Sequence, residues 1–305
     1  MRRSPLSNRL RSIAAAVAAS TALAACGSAV GSNALELGSS SVDKSTYEKI
    51  LDQLVEAGQI EESSGRIDAE AARAVLGALL RGEGVEQLLA EFGVSADDAE
   101  IAEVVDQLNQ DPEFGGLGVE LQELLIALNT QDLALARIPT PSGDQVAALY
   151  AKAPASVGAL CLRHLVVEKK STAEDALAEL RGGADFAEVA GRYSIEPNAE
   201  QTGGALAGED NDCLALSTYQ EQFDSKFTAG ALTAKAGVPT DPVQSSFGWH
   251  IIYVRPYTEV AESLATLLDE SPGALLLTGL LATSKVVVAS EYGRWNASLG
   301  QIIAN

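Results

Sequence analysis

At Val157 the hydrophobic period of this chain changes, and the change divides it into two kinds of structure. From Asp43 to about Lys152, apolar residues recur at helical spacing. Ile50, Leu51, Leu54 and Val55 make one face, ended by Gly58, and Val75, Leu76, Leu79 and Leu80 make another, ended by Gly82. Ser95-Ala96-Asp97-Asp98 reads as an acidic helix cap, with Ile101, Val104, Val105 and Leu108 following at helical spacing. Leu121, Leu124, Leu125 and Leu128 form a further stripe, after which Pro139 and Pro141 break the pattern and Ser142-Gly143-Asp144-Gln145 caps a short helix toward Tyr150.

Beyond Val157 the pattern alternates. Ala159 to Val167 is a strand-like run, then a helix begins at a Ser171-x-x-Glu174 capping box and stops at Gly182-Gly183. A short helix through Phe186, Val189 and Ala190 precedes a loop containing Pro197, Gly203 and Gly204. One helix around Tyr219 to Phe227 is followed by two strands, Pro242 to Ser246 and Trp249 to Val254, joined at Gly248. That order describes a compact α+β domain of about a hundred residues. A helical stretch from Tyr257 to Asp269 and a β-branched strand from Lys285 to Ala289 complete the chain.

The N-terminus carries an address. Arg2, Arg3, Arg9 and Arg11 precede an uncharged apolar stretch from Ile13 to Ala25, too short to span a bilayer and therefore a signal peptide over residues 1–25. Leu23-Ala24-Ala25-Cys26-Gly27 resembles the bacterial lipobox, which implies lipid on Cys26 and tethering to the outer face of the cell membrane; the alternative is an ordinary secretory signal. Gly27 to Ser41, rich in Gly and Ser, reads as a flexible tether. Export leaves Cys161 and Cys213 as an even pair in an oxidising compartment, expected as a disulfide in preference to two buried thiols.

Charge and residue counts exclude several functions. The formal charge of −21 is borne against four arginines in the leader, so the exported part is still more acidic and repels nucleic-acid phosphates. Residues 26–156 alone hold 7 basic and 23 acidic side chains. A solvated acidic face accounts for this, and a client-holding surface with such a charge would favour basic unfolded segments. Two histidines and three cysteines are too few for a Cys/His zinc framework, and no metal or cofactor is expected. No Gly-x-Ser-x-Gly elbow accompanies the histidines, which argues against a serine hydrolase.

Residues 157–257 resemble the parvulin family of peptidyl-prolyl cis–trans isomerases. The resemblance rests on Arg163-His164-Leu165-Val166-Val167, Leu180-x-x-Gly183-Ala184-Asp185-Phe186-Ala187-x-x-Ala190 and Tyr193-Ser194-x-Glu196-Pro197. It continues through Gly203-Gly204-Ala205-Leu206, Phe223 and Phe227, and Pro242 to Ile252 with its Ser-Ser-Phe-Gly-Trp-His core. The chain's two histidines occupy the family's two histidine positions. The resemblance implies that His164 and His250 share a hydrogen-bond chain with Ser245 or Ser246 as third member, and that Glu196 stands where relatives carry Asp or Cys beside the substrate carbonyl. It implies a proline cup lined by Leu206, Tyr219, Phe223, Trp249 and Phe227. Ala205 replaces the family's usual Asp, and Glu168-Lys169-Lys170 replaces the arginine cluster of phosphate-reading parvulins.

The helical N-terminus, central module and short C-terminal return resemble the SurA and PrsA type of extracytoplasmic foldase, with Tyr150-x-x-x-Pro154 as the entry to the isomerase. The expected architecture is α+β: a four-stranded antiparallel sheet with surrounding helices, inserted in a mainly helical chaperone lobe. Its divisions are a leader over 1–25, a tether over 26–41, a helical region over 42–156, the isomerase over 157–257, and a C-terminal segment over 258–305 packing on the N-terminal lobe. The implied activity is isomerisation of X–Pro bonds in unfolded or newly secreted proteins. The alternatives are a holdase that only grips such chains and a scaffold lipoprotein without unfolded clients.

Overall fold

The computed structural model describes residues 31–63, 65–208 and 211–305. The signal peptide, Cys26 and the start of the tether lie outside the described residues. Two compact units are present among the described residues: 31–138 with 284–296 and 301–305, and 139–283 with 297–300. The first stretches on either side of the isomerase, 139–156 and 258–283, thus lie with the second unit, whereas the change of period set the divisions at 156 and 257.

In the first unit β1 (Asn33–Leu37) is the centre of a three-stranded sheet between β2 (Ser40–Asp43) and β11 (Val286–Val288). This corrects the tether expected over 26–41, which is sheet from Asn33 on except for the turn at Gly38-Ser39. Ala34, Leu35 and Leu37 are buried there, and Leu35 pairs with Val288, some 250 positions away in the chain. A Gly/Ser-rich composition signals flexibility only while no partner strand is known, and this partner is far away in sequence.

Four helices follow: α1 (Lys44–Glu56), α2 (Ala69–Phe92), α3 (Asp98–Asn109) and α4 (Val119–Leu135). Their buried faces include Ile50, Leu54, Leu76, Leu79, Leu80, Leu121 and Leu124, the stripes seen in the sequence. Gly82 does not end α2, which runs on for three turns to Gly93 at φ +63°. A mid-helix glycine costs about 1 kcal/mol, which burial of Val85, Leu88 and Leu89 on the same helix outweighs. Asp97 and Glu100 form the capping box of α3.

The second unit opens with α5 (Gly143–Lys152), capped reciprocally by Ser142 and Gln145. Tyr150 is buried and donates its hydroxyl to the Arg255 carbonyl at 2.7 Å. The central sheet is antiparallel in the order β7 (Ala205–Leu206), β6 (Leu162–Val167), β10 (Gly248–Val254), β9 (Val243–Ser245). Helices α6 (Lys170–Arg181) and α7 (Phe186–Tyr193) cover one face. Their core is Leu165, Val167, Leu177, Phe186, Val189 and Ile251. The helix α6 does not use the expected Ser171–Glu174 box: it begins at Lys170 behind an uncapped Lys169, and Glu174 pairs with Lys170 one turn back.

Beside the sheet, β5 (Ala159–Leu160) pairs with β8 (Leu214–Ala215). Cys161 and Cys213, both buried, are joined by a disulfide at the end of this pair. It closes a loop of 52 residues and is expected to add about 2–4 kcal/mol, mainly by restricting the unfolded chain. The single helix expected from Tyr219 to Phe227 is two, α9 (Leu216–Gln222) and α10 (Ser225–Thr233). Phe223 is extended between them because Asp224 accepts from the backbone of Lys226 and Phe227 and starts a new helix. The helices α11 (Tyr257–Glu270) and α12 (Pro272–Thr283) complete the unit; no single described helix is long and apolar enough to cross a membrane.

Candidate active site

Alternation along two strands builds the site. His250 pairs with Val166 and Ile252 with His164, so both histidines project from the face opposite the α6–α7 core. Their rings stack at 5.5 Å between centroids, with the two Nδ1 atoms 3.3 Å apart. Ser245, on the neighbouring strand, places its Oγ 2.7 Å from His250 Nε2 and accepts from the Phe247 N–H at 3.0 Å. At the other end His164 Nε2 stands 3.0 Å from Glu196 Oε2, out of line for a full hydrogen bond.

With both imidazoles neutral, one proton arrangement accommodates the hydrogen bonds from Phe247 to His164 and the contact with Glu196. Glu196 is a carboxylate: the His164 contact holds its pKa below the ordinary value against the opposing effect of partial burial. In that arrangement His164 donates from Nε2 toward Glu196 and accepts at Nδ1, His250 donates from Nδ1 and accepts at Nε2, and the Ser245 hydroxyl donates to it. Polarisation runs one way, from the Phe247 N–H through both imidazoles to the carboxylate. Burial, with repulsion from His164 second, brings the His250 pKa down to about 4, so the ring is neutral at physiological pH.

This makes an acid prediction. Between 6.5 and about 4 the unfolded chain binds a proton that folded His250 refuses, so stability falls as pH drops, by at most about 1.4 kcal/mol per pH unit. Glu196 acts in the same sense, its stabilisation being lost as acid protonates the carboxylate. Urea midpoints measured from pH 7.5 to 4 are expected to show the fall and to flatten in His250→Gln. An equal slope in both proteins would contradict a neutral, buried His250.

The loop carrying Glu196 is laid along the strand edge. Ile195 N–H donates to the Val166 carbonyl at 2.9 Å, and Ser194 Oγ accepts from Val166 N–H at 3.2 Å. On the far side the Gly203-Gly204 turn, with φ of +58° and +73°, brings the Gly204 carbonyl 2.7 Å from the His164 N–H. A Cβ at Gly204 would lie 2.1 Å from the His164 carbonyl oxygen. The glycine pair is what lets this loop reach the sheet.

Aromatic rings line the same face. Phe227 is buried edge-on against both imidazoles, at 5.3 Å from His164 and 5.1 Å from His250. Phe223 stacks on Phe227 at 5.7 Å and tilts against Tyr219 at 4.7 Å. Half-buried Phe223 offers a free ring surface, whereas Phe227 and Tyr219 form the floor. Leu206 pairs with Leu162 and so shares the histidine face. Trp249 does not: its neighbour His250 points the other way, and Trp249 packs on the α6–α7 core with Lys170 over its ring. Placing Trp249 in the cup is therefore corrected, by the two-residue period of the strand itself.

The third member of the chain is Ser245, while Ser246 donates both N–H and Oγ–H to Asp224, at 3.1 and 2.8 Å. Burial works against the Asp224 charge, but the bonds from Ser246, Lys226 and Phe227 win and hold its pKa at about 2. Asp224 thus pins the hairpin tip to the start of α10. Sequence reasoning missed it, although Asp before Ser-Lys-Phe is a readable helix cap. Phe247, at the tip, is 72% exposed beside this assembly.

Residues 166–256 match the Rotamase family, described as the PPIC-type PPIASE domain. The foldase protein PrsA 1 of Lactobacillus johnsonii is 35% identical over 92 residues, covering 30% of this chain and 28% of the relative. The foldase protein PrsA of Halalkalibacterium halodurans is 27% identical over 195 residues, covering 62% of this chain and 54% of the relative. The matches thus span between 28% and 54% of these relatives' lengths. Among solved structures, PrsA from Bacillus subtilis is 18% identical over 84% of this chain and 94% of that one, with a TM-score of 0.30. With the paired histidines, the glycine turn and the antiparallel sheet in place, residues 166–256 are a parvulin-type peptidyl-prolyl isomerase domain, carried in a chain similar to the PrsA foldases.

Proposed function

We propose that this protein is an exported, lipid-anchored foldase that isomerises X–Pro bonds and holds unfolded chains. The observation that carries the reading is the chain of contacts from Ser245 through His250 and His164 to Glu196, lying under the Phe223 ring. Rotation about X–Pro must overcome a barrier of ~18–20 kcal/mol that comes from amide resonance. No bond has to break. A site accelerates the rotation by favouring the twisted amide, which has lost that resonance.

Phe223, with Leu206 on the same face of the sheet as the histidines, takes the proline ring and withdraws water from the imide nitrogen. Glu196, 42% exposed at its side chain, stands at the rim, where its charge acts on the carbonyl side of the bond. The histidines hold the carboxylate and the floor in place and transfer no proton to substrate. Clients are unfolded or newly exported proteins containing proline, and no nucleic acid is a partner.

The direct test is isomerisation of a short X–Pro peptide followed by exchange NMR, without a coupling protease. The wild-type chain is expected to accelerate exchange, and Glu196→Ala to keep part of the rate, about a tenth to a half, since one electrostatic contact supplies only ~1 kcal/mol or so of the lowering. No acceleration above background by the wild type would refute the enzyme. Anchoring is tested separately: Cys26→Ser should release the protein from membranes into the exported soluble fraction, and a variant that stays bound in high salt would refute the lipid anchor.

A further inference from the structure

The first unit holds an open groove of about 400 Å³ between the C-terminal halves of α2 and α4 and the connection Val94–Ala96. Its walls are apolar at Leu89, Val94 and Ala134, and Glu86, Ser95, Thr130 and Gln131 supply its polar groups. Gln131 is 7% exposed, and its side-chain carbonyl oxygen has no hydrogen-bond partner, while its amide donates to Glu86. The Glu86 carboxyl is pushed above the ordinary range by burial, with no cation acting on it. The Thr130 hydroxyl donates to the Ile126 and Ala127 carbonyls behind it. Both α2 and α4 end beside the groove, so their negative dipole ends face the same space. Arg137, which reaches the groove's edge through the Ser95 carbonyl, also pairs with Glu100, and Arg81 on α2 is paired with Asp132.

A buried acceptor without a donor is costly, and a half-buried carboxylate without a cation is more so. Together with two helix C-termini they make a cavity suited to a donor of positive charge. The apolar walls suit an alkyl stem, and the first stretch of the mature chain is strongly acidic, which draws basic segments toward it. We propose that this groove binds a basic side chain, arginine or lysine, of an extended client polypeptide. The head group donates to Gln131 Oε1 and the Glu86 carboxylate, and the stem lies along Leu89, Val94 and Ala134. The inference deepens the foldase reading and rests on its client-holding part.

The test uses the mature full-length chain and a labelled, proline-free decapeptide of alanine and serine with one central arginine. Its control replaces arginine by citrulline, which keeps shape and removes charge. Fluorescence anisotropy is expected to show the arginine peptide binding about tenfold more tightly, the scale of one charge-assisted contact. Glu86→Gln and Gln131→Leu should each bring the ratio below about twofold. Ser95→Arg, an exposed change at the mouth that leaves the core untouched, should compete from within and lower arginine-peptide affinity to the same degree. X–Pro exchange rates should stay at the wild-type level in all three.

Equal affinity for the two peptides, or a preference that survives all three changes, would overturn the proposal. So would self-association that Ser95→Arg abolishes in a chain without arginine-peptide binding, because the occupant would then be a second copy. Suppression of client aggregation, measured alongside, separates the two readings. If suppression persists while arginine and citrulline bind alike, the groove assignment fails and the chaperone stands. If suppression is absent while the arginine preference is intact, the chaperone fails and the groove stands.

Discussion

Gly204→Ala is expected to lower the stability of the isomerase domain by about 2–5 kcal/mol and to abolish its activity. Two costs add. A non-glycine residue at φ +73° costs roughly 1–2 kcal/mol, and forcing the loop away from a packed neighbour adds about 1–3 kcal/mol. The neighbour is the His164 carbonyl oxygen, 2.1 Å from the new methyl, so it is backbone that must move and not a flexible side chain. That movement breaks the bond from His164 N–H to the Gly204 carbonyl and displaces the histidine from Glu196 and His250. In a domain of this size each kcal/mol is about 4–8 °C of Tm, so differential scanning calorimetry should show a fall of at least about 8 °C. Gly208→Ala is the control: its Cβ would meet nothing nearer than the Leu214 side chain at 3.6 Å, and it should change stability by less than about 1 kcal/mol. Equal, small effects from the two substitutions would show that the loop is free to stand off the sheet.

Phe223→Ala is expected to reduce isomerisation at least about tenfold, equivalent to ~1.4 kcal/mol of barrier, while leaving suppression of client aggregation intact. The ring is half buried, stacked on one side against Tyr219 and Phe227 and free on the other. Its loss removes the apolar surface that would take a proline ring, at a modest stability cost. Phe227→Ala contrasts with it: that ring is 2% exposed and wedged against both imidazoles, so its removal should cost about 3–5 kcal/mol and unfold the site. The three readouts are exchange rate, melting temperature and light scattering of an aggregating client. A Phe223→Ala protein with the wild-type rate would remove the cup from the mechanism. Loss of aggregation suppression together with the rate would place client holding in the isomerase domain instead of the helical region.

Local chemistry made much of this molecule readable before any coordinates. The stripes Ile50–Leu54, Val75–Leu80 and Leu121–Leu128 are buried helix faces because a 3.6-residue period has only one way to hide them. The caps at Asp97 and Ser142 form where their side chains can reach backbone N–H groups three residues on. Both histidines face one another because strand alternation and an antiparallel pairing leave them no other face. Other features depended on partners distant in the chain. The tail of the expected tether forms a local hairpin with Ser40–Asp43 that Val286–Val288 completes as a sheet from the far end of the chain. The helix α2 passes its glycines because a buried surface outweighs local propensity. Asp224 breaks one helix into two and claims Ser246, leaving Ser245 to the histidines. The family resemblance puts Trp249 in the cup, yet one step along the strand from His250 is a change of side. Periodicity and capping are local energies, and a sequence carries them in full; register, hairpin closure and the unmet acceptor of Gln131 are non-local, and only the packed chain decides them.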